Sequence, residues 1–255
     1  MPYVVSSGVR IHYQVEGKGT PLVLQHGFSQ SIEDWYEFGY VAALKDQHRL
    51  VLIDGRGHGR SDKPHEQTAY TVERRVADVV SVLDALGVER SHFWGYSWGA
   101  HTGFGMVRHA PLRMLSLVAG GQAPSAKDRS AMRSAILATL PGGRDAYMAL
   151  LDKFMGSIPS GYATRLRDAD HEAFAAAMVN EPSMEDILPG LSIPCLLYAG
   201  DADATHSPAQ LAAQQMPSAQ FLSLPSLNHM PAFYQSNKVI PDVLEFLRGV
   251  ERGER

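Results

Sequence analysis

Phe93-Trp94-Gly95-Tyr96-Ser97-Trp98-Gly99-Ala100 is the stretch around which this chain is organised. Residues 91–94 form an apolar run that predicts a strand, and residues 98–109 form a small-residue segment that predicts a helix. A serine with glycines two positions before and after it, at a strand-to-helix turn, is typical of a sharp turn that presents a nucleophile. We predict that the glycines leave out side chains where strand and helix approach closely. Taken alone, the pattern is weak.

Length and composition indicate an ordinary globular protein. A domain of 255 residues buries roughly 70–75% of the surface of its extended chain, so it needs no disulfide or metal to fold. With 23 Lys and Arg against 27 Asp and Glu, and no long basic run, the chain shows no sign of binding nucleic acid or an anionic membrane. Residues 1–5 lack the charged and apolar regions of a signal peptide, and no stretch reaches about 20 apolar residues, so we expect neither a signal peptide nor a membrane span. The single cysteine, Cys195, lies in an apolar run and fits a reducing compartment, so we expect a cytoplasmic protein.

The order of the predicted elements indicates an α/β architecture. Two short alternating runs, residues 3–5 and 9–16, predict an antiparallel hairpin at a sheet edge. Apolar runs that predict buried strands then alternate with helical segments, and such alternation predicts right-handed crossovers. The strands are at 22–24, 50–53, 91–94, 114–119, 194–199 and 220–224, and the helices at 31–46, 71–86, 98–109, 207–216 and 240–250. We therefore predict a mostly parallel central sheet of about eight strands with helices on both faces.

The pattern changes between residues 121 and 189. No convincing strand occurs there, and helical pieces rich in Ala, Met and Leu are broken by Pro141-Gly142-Gly143 and Pro159-Ser160-Gly161. We interpret residues 121–189 as a helical lid inserted after the sixth strand. Residues 1–120 and 190–255 would then form one core domain.

Two later segments supply the side chains that a reactive serine needs. A serine hydroxyl is a poor nucleophile unless a base takes its proton and a carboxylate orients that base. Asp201 and Asp203 follow the strand at 194–199, and His229 follows the strand at 220–224. Because the carboxyl ends of parallel strands share one edge of the sheet, we expect these side chains near Ser97. Position alone leaves both aspartates as candidates.

Four motifs together resemble those of the α/β-hydrolase-fold serine hydrolases, in an esterase- or lactonase-like branch. The motifs are His26-Gly27-Phe28, the glycine-rich loop 54–62, Gly95-Tyr-Ser-Trp-Gly99, and Gly200-Asp-Ala-Asp203 with Asn228-His229. The resemblance covers nearly all of the chain outside the predicted lid.

The resemblance implies a role for individual residues. It makes Ser97 the nucleophile, His229 the base and Asp203 the acid, since the acid occupies the fourth position of Gly-x-x-Asp and Asp201 can shape the turn instead. It also implies that the backbone N–H groups of Phe28 and Trp98 form the oxyanion hole. No metal and no organic cofactor is implied.

The expected substrate is a small, uncharged, apolar ester or lactone, cleaved through an acyl-enzyme intermediate. The ring of Trp98 beside the reacting centre suggests an apolar acyl pocket, together with Phe28. Its other predicted lining residues are Met148, Leu151, Phe154, Met155, Phe174, Met178 and Met230. For each lid residue, packing within the lid is the alternative. A small-molecule substrate is the only partner we predict, and the oligomeric state is open.

Other activities of this fold stay open at this point. A carbon–carbon bond hydrolase would use the same three residues, and a cofactor-free perhydrolase or haloperoxidase would let peroxide replace water. A prolyl-type aminopeptidase would need acidic lid residues to hold the substrate amine, for which Glu172, Glu181, Glu185 and Asp186 are candidates. A hydrolase-like ligand receptor is the non-enzymatic alternative. Ser97 argues against the dehalogenase and epoxide-hydrolase branches, whose chemistry needs a carboxylate nucleophile.

Overall fold

One eight-stranded sheet forms the centre of the computed structural model, which describes residues 2–155 and 159–254. The strands are β1 (Tyr3–Ser6), β2 (Val9–Glu16), β3 (Thr20–Gln25), β4 (His48–Ile53), β5 (Ser91–Tyr96), β6 (Met114–Gly120), β7 (Cys195–Gly200) and β8 (Ala219–Leu224). Their order across the sheet is β1-β2-β4-β3-β5-β6-β7-β8. The hairpin of β1 and β2 is antiparallel at one edge, and every pairing from β4 to β8 is parallel. The predicted fold class is confirmed.

Eleven α-helices occur in the described residues. They are α1 (Ile32–Glu37), α2 (Tyr40–Leu44), α3 (Val72–Ala85), α4 (Trp98–His109), α5 (Ser130–Thr139), α6 (Gly143–Met155), α7 (Ser160–Arg167), α8 (His171–Ala177), α9 (His206–Gln215), α10 (His229–Tyr234) and α11 (Ile240–Glu251). Of the helices in the described ranges, none is long and apolar enough to cross a membrane.

Two predicted helix boundaries were wrong. The segment predicted as one helix at 31–46 forms α1 and α2, because Gly39 between them adopts a left-handed conformation with φ of 81°. Helix α9 begins at His206 with Thr205 as its N-cap, and not at the predicted cap Ser207. A carboxylate oxygen of Asp203 accepts the backbone N–H of Thr205 at 2.9 Å, and this bond holds the chain in its turn just before the helix.

Both faces of the sheet are covered by helices. Successive side chains of a strand point to opposite faces, and β3 shows the consequence. Val23 packs in a core with residues of α3, α4 and α9, whereas Leu22 and Leu24 pack in a second core with residues of α1, α2 and α11. Strands buried on both faces explain the continuously apolar runs in the sequence.

Helices α5 to α8 lie between β6 and β7, where the sequence predicts an inserted helical segment. The insertion is tied to α1 by Arg165, whose guanidinium donates to Asp34 at 2.7 Å and to Glu37 at 2.6 Å. The Tyr162 and Ser29 hydroxyls lie 2.6 Å apart, which links α7 to the loop after β3. The division of the chain into a core domain and a lid, at residues 121–189, stays a prediction.

Candidate active site

Ser97 lies at a strained turn between β5 and α4. Its backbone has φ of 50° and ψ of −111°, in the left-handed half of conformational space that residues with a side chain rarely adopt. Such a conformation costs of the order of 1–3 kcal/mol, so the surrounding structure has to impose it. The Ser97 N–H donates to the carbonyl of Gly120 at 2.7 Å, which fixes the turn to the end of β6.

Gly95 and Gly99 are required by close backbone contacts. A Cβ atom at Gly95 would lie 2.4 Å from the carbonyl carbon of Gly99, so strand and helix meet there as predicted. A Cβ atom at Gly99 would lie 2.1 Å from the carbonyl oxygen of Gln25. Gly99 therefore packs against the end of β3, the neighbouring strand, and this contact brings the start of α4 against the His26-Gly27-Phe28 loop.

Ser97, His229 and Asp203 form a hydrogen-bonded row. The Ser97 Oγ lies 3.0 Å from Nε2 of His229, and Nδ1 of His229 lies 2.6 Å from Oδ2 of Asp203. Burial raises the pKa of Asp203, but the hydrogen bond and charge of His229 and the Thr205 N–H outweigh it, so the pKa lies below its ordinary value. The structure thus brings together three positions that are far apart in the sequence.

Asp201 binds the backbone of a neighbouring loop and makes no hydrogen bond to His229. One of its carboxylate oxygens accepts the backbone N–H of Ser226 at 2.8 Å, and the side chain is exposed. This bond shapes the loop after β8. The geometry therefore favours Asp203 over Asp201 as the partner of His229.

The loop after β3 is held rigidly by His26. Its Nε2 accepts the N–H of Gly55 at 3.0 Å, so the proton of the neutral ring is on Nδ1, which donates to the carbonyl of Gly27 at 2.8 Å. Burial lowers the pKa of His26 and keeps the ring neutral. Within the described residues, the backbone N–H groups of Phe28 and Trp98 donate to no other group, as an oxyanion hole requires.

A cavity of about 630 Å³ opens beside Ser97 and His229. Of the predicted pocket residues, Phe28, Leu151, Met178 and Met230 line it. Met132 and Ile136 also line the cavity and were not predicted; they are four residues apart and so share a face of α5. This spacing of four residues was the signal in the sequence from which a shared cavity-lining face could have been predicted. The apolar part of the lining thus comes from the insertion on one side, and from the loop after β3 and the start of α10 on the other.

Several predicted pocket residues lie elsewhere. Met148 packs within the insertion, and Phe174 packs on Phe28 with ring centroids 5.1 Å apart. The ring of Trp98 is buried beneath the loop after β4, and Cζ of Arg75 lies 4.5 Å from the ring centroid. The prediction that this ring faces the cavity was therefore wrong. The side chains of Phe154 and Met155 lie outside the described residues.

Two cationic residues that were not predicted also line the cavity. Lys127 and Arg129 lie in the irregular segment that precedes α5, on the wall shared with Met178. Nothing in the periodicity of this segment signals their direction. In the described ranges, no group of three or more His, Cys, Asp or Glu side chains is arranged to hold a metal ion.

Known proteins resemble this chain in sequence and in structure. A family model described as alpha/beta hydrolase fold matches residues 20–158. Epoxide hydrolase B of Mycobacterium tuberculosis is 41% identical over 99 residues, which cover 36% of this chain and 27% of that protein. The first curated relatives are thus matched over about a quarter of their length.

Solved structures match nearly the whole chain. An esterase from Rhodococcus sp. ECU1013 has a TM-score of 0.83 at 27% identity and covers 98% of each chain. The enol-lactonase from Burkholderia xenovorans LB400 has a TM-score of 0.84 at 24% identity, with 97% of this chain and 100% of the lactonase covered, and shows the same fold. Since the family model matches more than half of the residues, the chain belongs to the alpha/beta hydrolase fold family.

Proposed function

We propose that this protein is a serine hydrolase that cleaves an ester or a lactone through an acyl-enzyme intermediate. The observation that carries the proposal is the unbroken row from Asp203 through His229 to Ser97, with contacts of 2.6 and 3.0 Å. A base in contact with a hydroxyl, oriented in turn by a carboxylate, is the arrangement that activates a serine.

The chemistry follows from the position of each group. His229 takes the proton of Ser97 as its Oγ attacks the substrate carbonyl, and the buried carboxylate of Asp203 stabilises the imidazolium that forms. The free N–H groups of Phe28 and Trp98 would bind the oxyanion, and each such donor lowers the barrier by about 2.7–4 kcal/mol. His229 then returns the proton to the leaving alcohol and activates the water that releases the acid.

The similar proteins differ in how strongly they support cleavage of an ester or a lactone by this chain. An esterase matches this chain over nearly its full length at 27% identity, whereas the epoxide hydrolase match is local. Residue 97 is a serine, and opening an epoxide by the alkyl-enzyme route needs a carboxylate nucleophile at that place. Ester or lactone cleavage is therefore the better-supported reaction.

The charge of the cavity argues against the aminopeptidase alternative. Glu181, the buried one of the four acidic candidates, is already paired with Arg75 at 3.2 Å and with Arg129 at 3.1 Å. A substrate amine would meet the cations Lys127 and Arg129 on the cavity wall. Activity assays are needed to distinguish ester hydrolysis from the three remaining alternatives, which are carbon–carbon bond hydrolysis, perhydrolysis and ligand reception.

A fluorophosphonate probe and a panel of p-nitrophenyl esters and lactones test the proposal. We expect covalent labelling at Ser97, and turnover that is lost in Ser97→Ala while the variant keeps the wild-type melting temperature. Folded wild-type protein that neither reacts with the probe nor hydrolyses any member of the panel would refute the proposal. Turnover confined to vinylogous diketones would favour the carbon–carbon hydrolase, and tight ligand binding without turnover would favour the receptor.

A further inference from the structure

Lys127 and Arg129 give the cavity wall an excess of positive charge close to the reactive serine. From this we propose that the natural substrate carries a carboxylate, which Lys127 and Arg129 bind while its ester or lactone carbonyl lies at Ser97. The proposal rests on the proposed function, and it replaces the expectation from the sequence that the substrate is uncharged. The apolar wall of Met132, Ile136 and Leu151 would hold the carbon chain between the two ends.

The cations outnumber the carboxylates available to them. Glu181 is 1% exposed and is shared by Arg75 and Arg129. Two guanidinium groups thus share one carboxylate, and Lys127 adds a third positive charge nearby. His101 also faces Glu181, but burial lowers its pKa to about 3 and the ring stays neutral.

Lys127 has only a neutral partner. Its Nζ donates to the side-chain oxygen of Gln122 at 2.8 Å, which uses one of three donors. Within the described residues, no carboxylate lies within ion-pair distance of this ammonium group. Glu181 and Asp203 act on the charge of Lys127 from beyond that distance, but Arg75 and Arg129 already engage Glu181, and His229 engages Asp203. Burial lowers the pKa of Lys127, and an incoming carboxylate would offset that cost.

Arg129 also has unused hydrogen-bonding capacity. One terminal nitrogen donates to Glu181, the other meets only the sulfur of Met178 at 4.0 Å, and Nε is buried without a partner in the described part of the chain. Buried donors left unpaired are costly, and a planar guanidinium suits a carboxylate. The ammonium group of Lys127 and the Nη1 atom of Arg129 therefore offer free donors on one wall of the cavity.

The backbone fixes this arrangement in place. Lys127 and Glu181 pair through two backbone hydrogen bonds, each of 3.0 Å, in an isolated bridge between the segment before α5 and the segment after α8. The bridge sets Lys127 beside the Arg75–Glu181–Arg129 cluster. The backbone bridge, and not a free surface loop, thus fixes the position of the cations.

Matched esters test the charge preference directly. The monomethyl esters of succinate, glutarate and adipate are each compared with the methyl ester of the monocarboxylic acid of the same chain length, with methanol release as the readout. We expect wild-type kcat/KM to be about tenfold or more higher for the anionic member of at least one pair. Added salt should reduce this preference, because it screens the attraction between substrate and cavity.

Lys127→Met separates the binding role from a structural one. Loss of one charge-assisted hydrogen bond predicts a fall of about ten- to a hundredfold in kcat/KM for the anionic esters, mainly through KM, and a much smaller change for the neutral esters. Lys18→Met is the matched control: it removes the same charge from an exposed position before β3, at the opposite edge of the sheet from Ser97, and should change neither class.

Three outcomes would overturn the inference. They are equal or better turnover of every neutral ester by wild type, an equal loss for both classes in Lys127→Met, and a Lys18→Met effect as large as that of Lys127→Met. If Lys127→Met fails to fold, the salt dependence of the wild-type preference decides.

If wild type cleaves no ester and is not labelled by fluorophosphonate, the proposed function fails. Calorimetric binding of monomethyl glutarate, but not of the neutral methyl pentanoate, would then still support the anion site, and no binding of monomethyl glutarate would refute it.

Discussion

The hydroxyl of Tyr96 donates a hydrogen bond to the backbone carbonyl of His229, and the two rings lie 5.4 Å apart. Tyr96 precedes Ser97 in the chain, so one buried side chain joins the nucleophile turn to the start of α10. Asn228 caps the same helix, with its side-chain oxygen accepting the N–H of His229 at 2.8 Å. The backbone of His229 is thereby held from two sides.

We therefore predict that Tyr96→Phe lowers kcat by about tenfold with little change in KM, because a loosely held imidazole spends less time in contact with Ser97. Steady-state kinetics on the best ester of the panel measure this. Tyr40→Phe is the matched control, since Tyr40 donates a similar bond of 2.8 Å to the carbonyl of Phe233 in the same helix. Equal loss of kcat in both variants would mean that only the stability of α10 matters.

Ser97 gives a prediction about stability. Replacing it with Ala or Gly removes the hydroxyl in both cases, but only Gly relieves the strain at φ of 50°. The relief of about 1–3 kcal/mol exceeds the extra entropy of a glycine in the unfolded chain, about 0.5–1 kcal/mol. Ser97→Gly should thus be more stable than Ser97→Ala by about 1 kcal/mol in urea unfolding, and both should be inactive. An equal or greater stability of Ser97→Ala would show that the turn is not strained.

Sequence reasoning predicted the parts of the site that depend on short-range rules. Gly95 could be predicted because the distance between a strand and the helix that follows it is set locally. The meeting of Ser97 with His229 followed from the rule that parallel strands end at one edge of the sheet. Fold class was accessible for the same reason, because alternating strands and helices leave few topologies.

The rest depended on tertiary contacts that no local pattern encodes. The ring of Trp98 turns away from the cavity because Arg75, on a different helix, lies over it and donates to its carbonyl at 3.1 Å. Lys127 faces the cavity because its backbone pairs with Glu181, more than fifty residues later. Spacing along the chain carries no information on either contact.

The buried carboxylate of Glu181 gives a third prediction. Glu181→Gln keeps the shape but removes the ion-pair partner of the Arg75 and Arg129 guanidinium groups. Removing one partner of a buried ion pair costs about 3–5 kcal/mol. We expect a loss of stability of that order in urea unfolding at pH 7.5. Glu185→Gln, on the exposed surface nearby, should cost less than about 0.5 kcal/mol. A Glu181→Gln variant as stable as Glu185→Gln would show that the cluster is not held by charge.

His58 gives a prediction about pH. Its ring is fully buried among aromatic side chains, 4.9 Å from Trp98 and 5.0 Å from Phe174, and burial lowers its pKa to about 3. In the unfolded chain the imidazole takes up a proton near pH 6.5, so the unfolded state binds more protons between pH 6.5 and 3. The stability that the neutral ring provides is complete above pH 6.5 and is lost as the pH falls through this window.

His58→Phe removes that loss while keeping an aromatic ring in place. At pH 7.5 we expect the variant to be less stable than wild type by about 1 kcal/mol, because the bond of Nδ1 to the Arg56 carbonyl is absent. At pH 5 the difference should shift by about 2 kcal/mol in favour of the variant. Urea unfolding at both pH values measures the shift, and Phe174→Leu, which disturbs the same cluster without a titrating group, should show none. Parallel pH profiles for His58→Phe and wild type would show that His58 is not held neutral by the fold.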